Sequence, residues 1–299
     1  MLVKEKLQLQ QNFSGVEKTI ANFFLEQPDQ LHVLTLREIA DIIYVAPSSI
    51  VRFCKKIGYQ GYNHFKEDYF NELKYLSSLF QNIDPNFPFL SSDKNTVLAH
   101  KIAQLYQEII QDCLSLIHHD SLQKAINLLN QSKCIYICTS GIQVELCQIF
   151  RSKMLKIGRQ VIVHQHAEDI YYDACYCDQE SVFIMISYTG ETHKVTMTAP
   201  VLQKRHIPVI AITSYGRNSL STQIDCCIHV STRERLRENL GNFGFSLSVM
   251  YLLDVLYAGY FNLNYEEHYK DKVYNTKNYE KGERFYGRYS TNSILEDKE

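Results

Sequence analysis

The strongest constraint on this chain is a change of texture near residue 134. From there to about residue 263, β-rich runs alternate with helical patterns. CIYICT, from Cys134, is a β-run. Ser140-Gly141-Ile142-Gln143 is a loop, and VELCQIFRSKMLKIG is helical and stops at Gly158. QVIVH and SVFIMISYTGET are the second and third β-runs, the latter ending in a polar turn. HKVTMTAPVLQKRH reads as a helix despite Pro200, and IPVIAITS and DCCIHVS are two further strands. Strands joined by crossover helices imply a parallel five-stranded sheet with helices on both faces. Such sheets bind ligands outside the carboxyl ends of their strands.

Residues 1–76 have no β-runs and read as helices throughout, an all-α bundle. Ser14-Gly-Val-Glu17 and Thr35-Leu-Arg-Glu38 are capping boxes that open two helices. Tyr44-Val45-Ala46 makes a short turn, Pro47 opens the next helix at its first position, and Gly58 ends it. Two helices around a tight turn form a helix-turn-helix. In the second helix Ile50, Cys54 and Ile57 share the inward face with Phe53. Ser48, Ser49, Arg52, Lys55 and Lys56 are left for solvent or a partner. Between Pro47 and Lys66 there are four cations and no acid. The chain as a whole carries a net charge of −2, so this is a local basic face rather than a basic coat. Thr35, Arg37, Pro47, Ser48, Ser49, Arg52, Lys55, Lys56 and Lys66 are the candidate DNA contacts. A solvated face on an ordinary helical hairpin is the alternative.

Residues 77–95 carry Pro85 and Pro88 among Ser, Asn and Asp and read as a linker. Residues 96–273 form the second domain, led by a helix from Thr96 to about His118. Residues 274–299 read as a tail that is disordered or lies across a neighbouring subunit. The nine cysteines lack the spacing of a zinc site, and neither a metal nor a cofactor is expected. Ser246, Ser248, Asp254 and Gly259 interrupt the apolar stretch from Phe243 to Phe261. It reads as a buried helix or a subunit interface, with no membrane as partner. The N-terminus has charges and glutamines where a signal peptide needs an apolar core, so a cytoplasmic location is expected.

Two hydroxyl-rich loops stand at the carboxyl ends of strands. They are Thr139-Ser140-Gly141 and Ser187-Tyr188-Thr189-Gly190-Glu191-Thr192, the latter just before a helix. Helix N-terminal amides and hydroxyls together can cradle a phosphate without lysine. Simple N-capping is the plainer use of the same residues. His164, His166, Glu168, Glu191, His193 and Glu234 could move protons, but they form no triad and no paired-carboxylate spacing. His164 and His166 alternate out of a strand and so face one side, with a surface-facing or helix-capping role as the plainer reading. Glu234 sits in the charge run RERLREN, which reads as a solvated helix face. No catalytic residue is assigned.

The stretch PSSIVRFCKKIGYQGYNHFKEDYF, with LREIADIIYVA before it, resembles the N-terminal domain of RpiR-type bacterial transcriptional regulators. Ala46 replaces the serine usual before the proline, a loss of an N-cap worth about 1 kcal/mol. The second loop resembles the S-x-S-G-x-T signature of sugar isomerase (SIS) domains, with Thr189 for the second serine. That likeness covers residues 120–262. The first loop resembles a G-T-G-x-Q variant, matched by Ser140, Gly141 and Gln143, with Thr139 where the first glycine is usual. The resemblance implies a DNA-binding regulator of sugar or amino-sugar metabolism. Its SIS domain would sense a phosphorylated sugar through Thr139, Ser140, Gly141, Gln143, Ser187, Tyr188, Thr189, Gly190, Glu191 and Thr192. Its partners would be a double-stranded DNA operator and its own copies, as a homodimer or homotetramer. A phosphosugar isomerase is the alternative.

Overall fold

The computed structural model describes residues 2–10, 12–77, 82–164 and 166–282. Six helices come first: α1 (Val3–Leu9), α2 (Gly15–Glu26), α3 (Gln30–Val33), α4 (Leu36–Ile42), α5 (Pro47–Lys56) and α6 (Tyr62–Ser77). Both capping boxes form, with the Ser14 and Thr35 hydroxyls accepting from the Glu17 and Glu38 amides. Leu7, Ile20, Phe24, Ile39, Ile50, Phe53, Phe65 and Tyr69 fill one core. Phe24 and Phe65 stack at 4.8 Å within it. The turn between α4 and α5 places Tyr44 at φ +53°, in the left-handed region, with its side chain in solvent. Ala46 precedes α5 without a side-chain cap, and Pro47 supplies the first helical position.

Helix α1 is docked by one buried side chain. The Glu72 carboxylate accepts the Val3 amide and, at 2.8 Å, the Lys4 amide. Burial outweighs those two bonds and pushes its pKa up to about 7.

The second half begins with α7 (Asn95–Leu116) and α8 (His119–Gln131). It continues β1 (Cys134–Cys138), α9 (Gln143–Leu155), β2 (Gln160–Val163), α10 (Ala167–Tyr176), β3 (Ser181–Ser187), α11 (His193–Lys204), β4 (Val209–Ser214), α12 (Ser219–Gln223) and β5 (Cys226–Val230). Helices α13 (Phe243–Leu263) and α14 (Tyr265–Gly282) close it. The strands form one parallel sheet, as the alternating pattern implies, and their order is β2-β1-β3-β4-β5. Every residue of β3 is buried, which fits a central strand covered on both faces. One face packs Ile137, Ile184, Phe150 and Leu253 together; the other packs Phe183, Met185, Val195 and Leu202.

Helix α13 is long and apolar enough to cross a membrane. Here it buries Leu247, Val249, Leu252, Leu253 and Leu256 within the domain, as a core helix does. Helices α8, α10 and α12 have no counterpart in the sequence reading. The expected tail also differs from the structure. Residues 274–282 continue α14, whose first turn carries Glu266 and Glu267 at the positive end of the helix dipole. His268 anchors that helix, stacking on Tyr260 at 5.3 Å and bonding the Phe261 carbonyl. Residues 283–299 lie outside the described residues.

All nine cysteines are free thiols. Burial pushes Cys54, Cys138, Cys147 and Cys227 up to about 12, and Cys226 to about 11. Cys113, Cys134 and Cys177 shift the same way for the same reason. No cluster of three or more metal-ligating side chains occurs among the described residues.

Candidate functional site

The basic face lies on α5 and around it. Pro47, Ser48, Arg52 and Lys55 are exposed, and Ser49 is half-buried. An Arg52 Nη donates to Ser49 Oγ at 3.3 Å, which lays the guanidinium along the start of the helix. Arg37 is exposed on α4, while the Thr35 hydroxyl is used in capping. Two predicted contacts are otherwise engaged. Lys56 Nζ pairs with Glu17 at 2.8 Å and donates to the Asn12 carbonyl at 2.8 Å. It therefore fastens α5 to the loop before α2. Lys66 Nζ donates to the His32 carbonyl at 3.3 Å.

At the carboxyl ends of β1 and β3 lies a cavity of about 260 Å³. Eight of the ten predicted ligand residues line it: Thr139, Ser140, Gly141, Gln143, Ser187, Tyr188, Thr189 and Thr192. The strand order explains their meeting. β1 leads outward to β2, while β3 leads to β4 on the other side, so the loops after β1 and β3 face each other at a topological switch point.

Gly190 and Glu191 do not line it. Gly190 sits at φ +68°, and a β-carbon there would stand 1.9 Å from Asn218 Oδ1. Its place in the loop is to make the turn. Glu191 points outward and accepts from the Ser219 amide at 2.7 Å and hydroxyl at 2.6 Å, fixing α12.

The hydroxyls are pre-arranged. Ser187 Oγ and Thr192 Oγ1 are 2.6 Å apart, and Ser187 Oγ also accepts the Gly190 amide at 3.1 Å. Thr192 occupies the N-cap position of α11, yet its side chain makes no cap bond. Helix α9 likewise has no side-chain cap. Two helix N-termini without a side-chain cap thus approach the cavity walls, where their dipoles favour an anion, while the Val144, Glu145 and Val195 amides already donate within their own first turns. Thr139 Oγ1 bonds the Ile186 carbonyl at 3.1 Å, and Lys194 Nζ donates to the Thr139 carbonyl at 3.2 Å, tying the two loops together. Gln143, only 5% exposed, donates to Ser246 Oγ, and its Oε1 has no partner among the described residues.

The far wall is Glu234, Arg235, Leu236, Asn242 and Phe245, none of them a predicted ligand contact. Residues 231–242 are irregular, with bends over 236–241, where the charge run was expected to be a solvated helix, and Phe245 belongs to α13. Glu234 is buried, and its carboxylate accepts the Gly244 and Phe245 amides at 2.7 and 2.8 Å, capping α13. Burial raises its pKa, and those amides oppose the rise. Of the six acid-base candidates Glu234 alone lines the cavity, and both its oxygens serve the helix cap. The strand expected to carry His164 and His166 stops short of them, since β2 ends at Val163; His166 is exposed at the N-cap position of α10, and His164 Nε2 pairs with Asp173 at 2.6 Å.

Two family models match this chain. A helix-turn-helix domain of the rpiR family matches residues 1–74, and a SIS domain matches residues 128–258. An uncharacterized HTH-type transcriptional regulator of Haemophilus influenzae is 23% identical over 250 residues, covering 84% of this chain and 86% of its own. A Bacillus subtilis regulator of the same description is 21% identical, covering 84% and 87%. Among solved structures, the Vibrio vulnificus NanR protein complexed with ManNAc-6P has a TM-score of 0.60 at 21% identity. It covers 93% of this chain and 98% of its own. The sugar isomerase domain of an RpiR transcription factor from Sphaerobacter thermophilus has a TM-score of 0.53 at 10% identity, covering 60% and 98%. These structural likenesses support the fold; the matched models, in this order along one chain, go further, and the chain belongs to the RpiR-type transcriptional regulators, with a helix-turn-helix domain followed by a SIS domain.

Proposed function

We propose that this regulator senses a phosphorylated sugar or amino sugar in the cavity at the β1 and β3 ends and controls genes of the corresponding metabolism. The observation that carries this is the pairing of two uncapped helix N-termini with the Ser187–Thr192 hydroxyls on one cavity of sugar size. Amides and hydroxyls fixed before binding favour a dianionic phosphate at little ordering cost. The sugar end then meets Gln143, Asn242 and Arg235, whose amide and guanidinium groups suit hydroxyl or acetamido partners. NanR, complexed with ManNAc-6P, gives the amino-sugar phosphates first place among ligands to try.

In this reading Arg37, Pro47, Ser48, Ser49, Arg52 and Lys55 meet operator DNA in the cytoplasm. The protein acts as a homodimer or homotetramer, because recognition helices must reach half-sites about 34 Å apart or a multiple of that. Ligand binding changes their separation and hence operator affinity.

A thermal-shift screen against phosphorylated sugars tests the reading, since a ligand of the native state raises its melting point. ManNAc-6P or a related phosphosugar is expected to raise Tm in the wild type. Ser187→Ala is expected to lose the shift while duplex DNA binding persists. An undiminished shift in Ser187→Ala would place the ligand elsewhere.

A further inference from the structure

The short segment Ser231–Arg235 is gripped from two sides. On the cavity side the Tyr188 hydroxyl donates to the Glu234 carbonyl at 2.8 Å and accepts the Glu234 amide at 3.1 Å. The Glu234 side chain caps α13. On the other side the Thr232 amide donates to the Tyr75 hydroxyl at 3.1 Å. Tyr75 belongs to α6, whose Phe65 and Tyr69 lie in the core of the DNA-binding domain. The Tyr75 ring packs 4.8 Å from Tyr215, and the Tyr215 amide donates to Thr232 Oγ1 at 2.6 Å. Asn86 accepts the Arg235 amide at 2.7 Å and donates to the Arg233 carbonyl at 3.3 Å. Arg233 and Glu108 form a buried pair at 3.4 Å. Five residues thus connect a cavity wall to the DNA-binding domain.

A buried acid at the centre of this junction is unevenly used. Asp112 Oδ2 accepts both the Tyr75 hydroxyl, at 3.1 Å, and the Ser231 hydroxyl, at 2.5 Å. Asp112 Oδ1 has no hydrogen-bond partner among the described residues, although the side chain is buried. A buried polar atom without a partner is rare and costly. One oxygen carries two donors while its twin, a short reach away, carries none. A small slide of the segment can pass a hydroxyl from one oxygen to the other without losing a bond. Moving one hydroxyl to the unused oxygen would give this contact a second arrangement, and two discrete arrangements are what transmission between sites requires.

We propose that Tyr75 is a positioning residue that carries the state of the phosphosugar cavity to the DNA-binding domain, through its shared bonds with Thr232 and Asp112. This rests on the sensing role proposed above. A ligand that draws in Arg235 or Tyr188 shifts Ser231 and Thr232 with them. Tyr75 follows, and α6 moves as a rigid lever with the α5 face attached.

Hydrogen–deuterium exchange on the full chain tests this, with ManNAc-6P and inorganic phosphate as probes. In the wild type, either probe is expected to slow exchange in residues 139–143 and 187–194, and ManNAc-6P to change exchange in residues 62–77 as well. Tyr75→Phe keeps the ring against Tyr215 and removes only the hydroxyl. It is expected to keep the cavity response and lose that of residues 62–77. Ser231→Ala, which leaves Tyr75 intact, is expected to weaken the same distant response, and serves if Tyr75→Phe does not fold. An identical response of residues 62–77 in wild type and variants overturns the inference, as does a wild-type cavity response with none in 62–77. If neither probe alters the cavity loops, the sensing reading itself falls, and this inference falls with it.

Discussion

Lys56 and Arg52 lie four residues apart on one helix and look alike in the sequence, yet their surroundings separate them. Lys56 is held by Glu17 and the Asn12 carbonyl, whereas among the described residues Arg52 hydrogen-bonds the Ser49 hydroxyl one turn back and no acid. Arg52→Ala is therefore expected to weaken operator binding by about 1–3 kcal/mol with little effect on folding. Lys56→Ala is expected to do the converse, changing stability by less than about 1 kcal/mol, as partly exposed ion pairs do, with a smaller loss of DNA affinity. Fluorescence anisotropy on an operator fragment, paired with urea denaturation, reads both. Equal affinity losses would show that the Glu17 pair opens on DNA. The partner of Lys56 was not legible, because Glu17 lies 39 residues upstream and no local pattern links them. Glu234 was illegible for a related reason. A charge run looks solvated until the fold brings the start of α13 against it.

At the scale of elements, α1 depends on Glu72. Burial first, against the opposing pull of two amides, lifts its pKa to about 7 from an ordinary 4.5. The folded chain then binds this proton more tightly than the unfolded one. The stability so gained is complete below about pH 4.5 and is lost as pH rises through about 7, on the order of 3 kcal/mol in all. Glu72→Gln keeps an acceptor for the α1 amides and removes the titration. Urea denaturation at pH 5 and pH 8 is expected to show the wild type losing stability relative to this variant at the higher pH. A constant difference between the two proteins would show that Glu72 does not titrate in this range. The elements themselves were largely readable. Capping boxes at Ser14 and Thr35 and proline at position 47 are local signals, and the strands announced themselves by continuous apolar runs. Helix α10 was missed because AEDIYYDACY is short and mixes acids with aromatics, so its packing against α11 and β1 decides its state.

At the scale of the molecule, DNA affinity depends on counting charges. Arg37, Arg52 and Lys55 are exposed cations of the face that make no ion pair among the described residues, whereas exposed Lys56 is paired with Glu17. A dimer that engages both faces covers about six phosphates, so log K against log salt is expected to fall with a slope of about −5. A slope near half that value, measured by anisotropy between low and physiological salt, would mean that one protomer binds alone. The parallel sheet followed from the alternating sequence pattern; its strand order, β2-β1-β3-β4-β5, is set by packing that the pattern does not carry. The junction at Tyr75, Asp112 and Thr232 did not follow from it either, since it joins residues up to 157 positions apart.

Eight of the nine thiols are held in their protonated form by burial. Peroxide attacks thiolates, and buried thiols meet it slowly. Those eight sulfurs are therefore expected to react slowly with an oxidant while the chain stays folded.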